Sequence, residues 1–180
     1  QFAGSVELGM VANVSLRTAS RVYLDLGSFK ARDFTELHFH CSHIPFEHHL
    51  AGKRTYAIRV KLNQSTINSP PHTMGKIRHA IHDRLRLHGK PFGAEADRNA
   101  VDTENPDIHI TCAIHRDLTS IGIDLSGDPL FKRGYRTMAG EAPLKENLAA
   151  AILLMCRYNG EEPLYDPMCG TGTFLIEAEM

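Results

Sequence analysis

No run of apolar residues in this sequence is long enough to span a bilayer, and no charged-then-apolar segment opens it. These residues therefore hold neither a helical membrane anchor nor a secretory signal, and the expected location is the cytoplasm. Cysteine is scarce. Cys41, Cys112, Cys156 and Cys169 are scattered, with no CxxC pair among them, a pattern that fits reduced thiols and not a disulfide framework. Net charge is nearly absent as well, at -1 over 180 residues. That argues against a uniformly basic nucleic-acid binder but leaves room for a local basic surface, because binding responds to where charges lie as well as to their sum. What the chain does have is apolar content: 42% of its residues are hydrophobic, enough for one large domain or two small ones. It opens on Phe2 and closes at Met180 inside a helical pattern, and so reads as a segment of a longer protein.

The order of periodicities sets the organisation. Residues 5–16 read as a short helix, and Arg21 to Leu26 alternates as a half-buried strand. Residues 33–43 look helical. Lys53 to Leu62 is a second strand, with Tyr56, Ile58, Val60 and Leu62 on one face. Pro70 and Pro71 suit the first turn of a helix over about 72–88, whose apolar stripe is Met74, Ile77, Ile81 and Leu85. Two further strands, Asp107–Ile114 and Thr119–Leu125, flank a hairpin turn at His115 to Leu118, giving an α+β architecture up to about residue 127. After a turn-rich linker at Ser126 to Pro129, Pro143 opens a periodic helix. Pro163-Leu164-Tyr165 reads as a short strand, a glycine loop follows, and helical character resumes from Thr173 to Met180. Helix, strand, glycine turn and helix is how a doubly wound α/β domain begins.

The loop is Asp166-Pro167-Met168-Cys169-Gly170-Thr171-Gly172. A glycine-rich turn between a strand end and a helix start lets a ligand reach the backbone, because no Cβ stands in the way. The spacing is neither the three-glycine dinucleotide fingerprint nor a P-loop. Local spacing alone leaves a purely structural turn open.

The longer string from Asp166 through Gly172-Thr173-Phe174-Leu175-Ile176-Glu177-Ala178 closely resembles the cofactor motif of the THUMP-containing RNA methyltransferases. Within that family it is most similar to the bacterial enzymes that methylate the exocyclic amine of a guanine in large-subunit ribosomal RNA. Asp124 to Gly127, Lys132 to Arg136 and Ala142 to Ala151 resemble the family too, and weaker similarity reaches back through Asn105 to Ile108 and Ala31 to Phe34. The resemblance implies a partial ferredoxin-like module at residues 1–33, a THUMP RNA-binding domain at 34–126, and the truncated start of a Rossmann-like methyltransferase domain at 130–180. It implies S-adenosylmethionine as cofactor, held by Asp166, Pro167, Cys169, Gly170 and Gly172, with Pro143 and Leu144 beside it. The family's Asn/Asp-Pro-Pro-aromatic motif, which holds the target amine and stacks on the extruded base, does not occur here, nor does the acidic residue expected on the cofactor ribose. No catalytic residue is assigned within these residues; the parent enzyme is expected to carry that string within roughly the next domain's length, about 150 residues.

RNA is the expected partner, with large-subunit ribosomal RNA the implied substrate. Lys76, Arg78, Arg86 and Lys90 on the helix over 72–88 are the strongest electrostatic footprint, and a solvated helix face is their bland alternative. Lys132, Arg133 and Arg136, with Tyr135 between them, form a second candidate; their other reading is a brace at a domain junction. His38, His40, Cys41, His43, His48 and His49 lie close in sequence but lack the paired spacing of a zinc motif, so no metal is expected. Cys112 and Cys156 read as core residues, and Cys169 as part of the cofactor loop, not a nucleophile. Two other functions stay open: an adenine amino-methyltransferase acting on DNA, and a non-catalytic THUMP module whose glycine loop is only structural.

Overall fold

The alternating segments between Tyr23 and Asp124 pair into one sheet because each carries a single apolar face that needs covering. In the computed structural model, which describes residues 2–50, 55–88, 106–136 and 143–180, the chain divides into two units: Tyr23–Asp124, and a discontinuous unit of Gln1–Val22 with Leu125–Met180.

The first of these is a four-stranded mixed sheet. Strands β1 (Tyr23–Lys30), β2 (Tyr56–Asn63), β3 (Ile108–His115) and β4 (Leu118–Asp124) lie in the order β1-β4-β3-β2. β1 and β3 run antiparallel to β4, while β2 runs parallel to β3. Register places Tyr56 beside Ile108, Ile58 beside Ile110, Val60 beside Cys112 and Leu62 beside Ile114, so one sheet face is a continuous apolar layer. Helices α2 (Phe34–Ser42) and α3 (Pro70–Leu87) cover it through Leu37, Cys41, Ile77, Ile81 and Leu85, all fully buried.

Local chemistry fixes the ends of these elements. Asp33 caps α2, its carboxylate accepting from the backbone N–H groups of Thr35 and Glu36 at 2.8 Å each. α3 starts with two prolines whose missing N–H groups would have been unpaired there in any case. The β3–β4 hairpin turns through Arg116 and Asp117, both left-handed at φ 51° and 62°, where asparagine and glycine are usual. The Asp117 carboxylate explains the tolerance: it accepts from the Thr66 N–H at 2.8 Å, the Thr66 hydroxyl at 2.9 Å and the Ser65 hydroxyl at 3.1 Å. Gly122 is required for a different reason. A Cβ there would stand 2.8 Å from the Leu24 carbonyl on the neighbouring strand.

The discontinuous unit contains α1 (Val6–Ser15), α4 (Glu146–Met155) and α5 (Thr173–Glu179). α1 buries only Gly9 and Ala12, and a Cβ on Gly9 would meet the Leu125 side chain at 2.8 Å. Asn13 then donates to the Leu125 carbonyl and accepts from the Ser126 hydroxyl at 2.6 Å.

β1 pairs with β4, so Tyr23–Lys30 share the sheet of the unit that runs to Asp124. Two expectations change. Pro163-Leu164-Tyr165 is not a strand; among the described residues it has no partner strand to supply a ladder. Cys156 is exposed, one residue past α4, whereas Cys112 and Cys41 are buried. Burial pushes the Cys112 thiol up to about 12 and raises that of Cys41 further, so neither is a thiolate at neutral pH.

One buried carboxylate makes the sheet unit acid-sensitive. Glu47, in the 3-10 turn Phe46–His48, is gripped by Arg84 through two bonds of 3.0 and 2.7 Å, with His88 at 3.7 Å. The Arg84 hydrogen bonds hold its carboxyl at about 2, below the ordinary 4.5. A depressed carboxylate contributes stability that is fully present above the unfolded value and is lost as pH falls through the folded one. Urea midpoints of this unit are expected to drop as pH is lowered from 4.5 toward 2, and Glu47→Gln to flatten that dependence.

Candidate functional site

The glycine loop emerges in the discontinuous unit as an exposed turn that opens α5. Gly170 and Gly172 are left-handed, at φ 52° and 73°, and Gly172 is the N-cap of α5. A side chain at either would be strained there. At Gly172 the space a Cβ would take is open, so the backbone is approachable from outside. The turn is closed by the Gly172 N–H on the Cys169 carbonyl at 2.7 Å, and Asp166 folds its carboxylate back onto the Met168 N–H at 3.0 Å. Pro167, Met168, Cys169 and Thr171 are exposed. A cleft of about 620 Å³ lies between the end of α4, residues 158–166 and Phe174. Of the sequence-predicted cofactor residues only Asp166 lines it, and the two glycines stand outside.

α5 has just seven residues, too few to be stable by itself. A charge network holds it. Glu177 is fully buried and its carboxylate is saturated: Oε1 accepts from the Tyr135 hydroxyl at 2.9 Å, and Oε2 meets Arg17 and Arg133 at 3.2 Å each. Arg17 also donates to the Glu177 carbonyl, and Arg133 to the Arg17 carbonyl. Burial, followed by the bond to Glu177, pushes the Tyr135 phenol up to about 12.

A second knot lies one helical turn earlier. Arg136 donates to the Leu144 carbonyl at 2.6 Å and to the buried Thr173 hydroxyl at 3.0 Å, and approaches Glu146 at 3.5 Å. Arg136 thereby ties the Pro143–Leu144 segment to the first residue of α5. Leu144 and Thr173, the residue that follows the loop, thus share Arg136 as a hydrogen-bond partner.

Arg133 and Arg136, read from the sequence either as RNA contacts or as a brace, are engaged inside the unit. Their side chains are only 12% and 19% exposed, and their guanidinium groups are spent on Glu177, Glu146, Thr173 and backbone carbonyls. They brace the interior of one unit. Lys132 stays exposed, 3.8 Å from Asp128. In the sheet unit, Lys76 and Arg86 are exposed on α3, Arg78 is half-buried, and Lys90 lies outside the described residues. Lys76 and Arg86 line a polar cleft with His38, His79, His82 and Asp83; helical spacing already puts Lys76, His79, Asp83 and Arg86 on one stripe, while His38 comes from a different helix. The neighbouring histidines disperse: His40 stacks on Phe29, and the His43 ring bonds the Phe39 carbonyl. Glu177 was missed. Its only local signal is a carboxylate placed one turn after Thr173, directly behind the apolar run Phe174-Leu175-Ile176.

A four-stranded sheet backed by two helices, followed by a glycine loop at a helix start, defines an α+β unit joined to a segment of the kind that opens an α/β domain. Comparison with known proteins agrees. Residues 31–124 match the THUMP domain family, and residues 133–180 match the RMKL-like methyltransferase domain family. The ribosomal RNA large subunit methyltransferases K/L of Psychromonas ingrahamii and Aeromonas hydrophila are 41% and 39% identical over 100% and 98% of this chain. The chain spans 23% and 24% of their lengths, about a quarter. Among solved structures, a Listeria monocytogenes protein named as a predicted N6-adenine-specific DNA methylase superposes with a TM-score of 0.84 at 33% identity, and SMU.472 complexed with SAH with 0.83 at 34%. Both alignments cover 98% of this chain and 45% of the other. The chain belongs to the THUMP-containing methyltransferases.

Removing the Glu177 charge leaves two inward-facing guanidinium groups without their counter-ion. Glu177→Gln is expected to destabilise the discontinuous unit by about 3 kcal/mol, as for other buried pairs broken from one side. Urea unfolding followed by a probe in residues 143–180 measures it.

Proposed function

We propose that this chain is the RNA-binding portion and first cofactor motif of an S-adenosylmethionine-dependent methyltransferase that methylates the exocyclic amine of a guanine in large-subunit ribosomal RNA. The observation that carries this reading is the exposed glycine loop, with Gly170 and Gly172 left-handed at the start of α5, in a chain whose preceding domain is a THUMP domain. The names of the K/L relatives support ribosomal RNA as substrate, and the SAH bound to SMU.472 supports the cofactor.

The residues present fit that cofactor. Asp166, Pro167, Cys169, Gly170 and Gly172 would hold it, with Pro143 and Leu144 alongside. The open space at Gly172 admits a ligand to the backbone, and Asp166 and the α5 amino terminus supply polar groups of both signs. When bound, S-adenosylmethionine supplies an electrophilic methyl on its sulfonium. The part played by this chain is to fix the loop: Tyr135 holds Glu177 and Arg136 joins Leu144 to Thr173, so that α5 and the loop before it keep one shape. The Asn/Asp-Pro-Pro-aromatic string is absent from these residues, and orientation of the target amine therefore falls to the rest of the parent enzyme.

The printed name of the Listeria relative favours a second reading, adenine amino-methylation of DNA. The THUMP match speaks for RNA. Transfer of labelled methyl groups by the full-length parent separates them: label is expected in unmodified large-subunit ribosomal RNA, and label in DNA alone would overturn the proposal. No transfer to either would favour a non-catalytic RNA-binding module. For residues 1–180 alone, weak and salt-sensitive RNA binding is expected, with log K falling by about 0.7 per phosphate contact against log salt. Cofactor affinity should be negligible; tight binding by this chain would contradict the division of the pocket.

A further inference from the structure

A polar cleft of about 340 Å³ lies in the sheet unit, lined by His38 from α2 and by Lys76, His79, His82, Asp83 and Arg86 from α3. The α3 residues recur at steps of three and four, which puts them on one stripe opposite the buried Ile77, Ile81 and Leu85. From Lys76 to Arg86 the stripe runs about 15 Å along the helix. At its centre the Asp83 carboxylate accepts from the His38 imidazole Nε2 at 2.9 Å. With its histidines neutral the cleft holds two cations against one carboxylate.

We infer that this cleft seats phosphate groups of the RNA backbone, and that the His38–Asp83 pair sets its affinity by taking up a proton. The inference rests on the RNA-binding reading above and adds the seat and its regulation. An exposed carboxylate in the middle of a phosphate seat repels the ligand. A protonated His38 cancels it at contact distance, and a protonated His79 adds a further cation beside Lys76. Histidine makes this change between about pH 5 and 8. Groups on the surrounding elements do not substitute for it. From β2 the Tyr56 hydroxyl lies 3.4 Å from His82 Nε2. From the 3-10 turn, Glu47 is held by Arg84 and approached by His88, on another face of α3. On α3 itself Arg78 stands half-buried beside the stripe, and His72, a turn before Lys76, packs against Phe34. The buried thiol of Cys41, next along α2, stays protonated throughout this range.

The experiment is fluorescence anisotropy of the whole 180-residue chain with a labelled large-subunit ribosomal RNA fragment, at fixed ionic strength between about pH 5 and 8. Affinity is expected to rise as pH falls. Asp83→Asn should bind about fivefold more tightly at the alkaline end and show a flatter pH profile, as expected for deleting one repulsive charge near a surface phosphate. The double variant Lys76→Ala with Arg86→Ala should bind at least about tenfold more weakly and lower the salt slope by about 0.7 per lost contact. Thermal melts of each variant report whether it is folded. If Asp83 only tied α2 to α3, Asp83→Asn would lower the melting temperature without tightening RNA binding, and the proton-linked seat would be refuted. RNA binding unchanged in the double variant would place the seat elsewhere while leaving the RNA reading intact. No RNA binding by the unaltered chain at any pH would overturn both.

Discussion

A carboxylate taken completely out of water must find partners for both oxygens, and Glu177 finds three. That constraint organises the discontinuous unit. Arg17 is separated from Glu177 by 160 residues of sequence, yet it supplies both a side-chain ion pair and a bond to the backbone carbonyl. Tyr135 lies 42 residues before Glu177 and fills the remaining oxygen. A seven-residue helix gains its order from these contacts and not from its own propensity. Because Gly172 is the N-cap of α5, whatever holds α5 also holds the glycine loop.

The second unit depends on a different kind of constraint. Its sheet is covered on one face by α2 and α3, and the helices leave their polar stripes outward. Lys76 and Arg86 stand exposed on the polar stripe of α3, so a chain with a net charge of -1 still presents cations side by side there. The glycine loop and the polar stripe of α3 are thus built on separate scaffolds, one held by buried ion pairs and the other by an apolar layer.

The sequence was informative wherever the signal was local. Period-two and period-3.6 patterns located β2, β3, β4 and α3, proline and glycine marked the start of α3 and the loop, and the string Asp166 to Ala178 pointed to the family. It failed where the partner is distant. The pairing of β1 with β4, which comes later by 92 residues at Ser28–Ser120, has no local signal. Arg133 and Arg136 looked like surface cations because three charges in five residues usually are; only the position of Glu177 and Glu146 in space shows otherwise. The cleft on α3 was half visible, as Lys76 and Arg86, while His38 could not be added without knowing how α2 packs.

The central claim is that a buried charge network reaching back to the amino-terminal segment holds the cofactor-loop helix in place. Hydrogen exchange of the α5 amides in Arg17→Ala tests it most directly, since local opening is read residue by residue. The account predicts faster exchange across Thr173–Glu179 with β3 amides unchanged. Equal protection of α5 in the variant and the unaltered chain would contradict it.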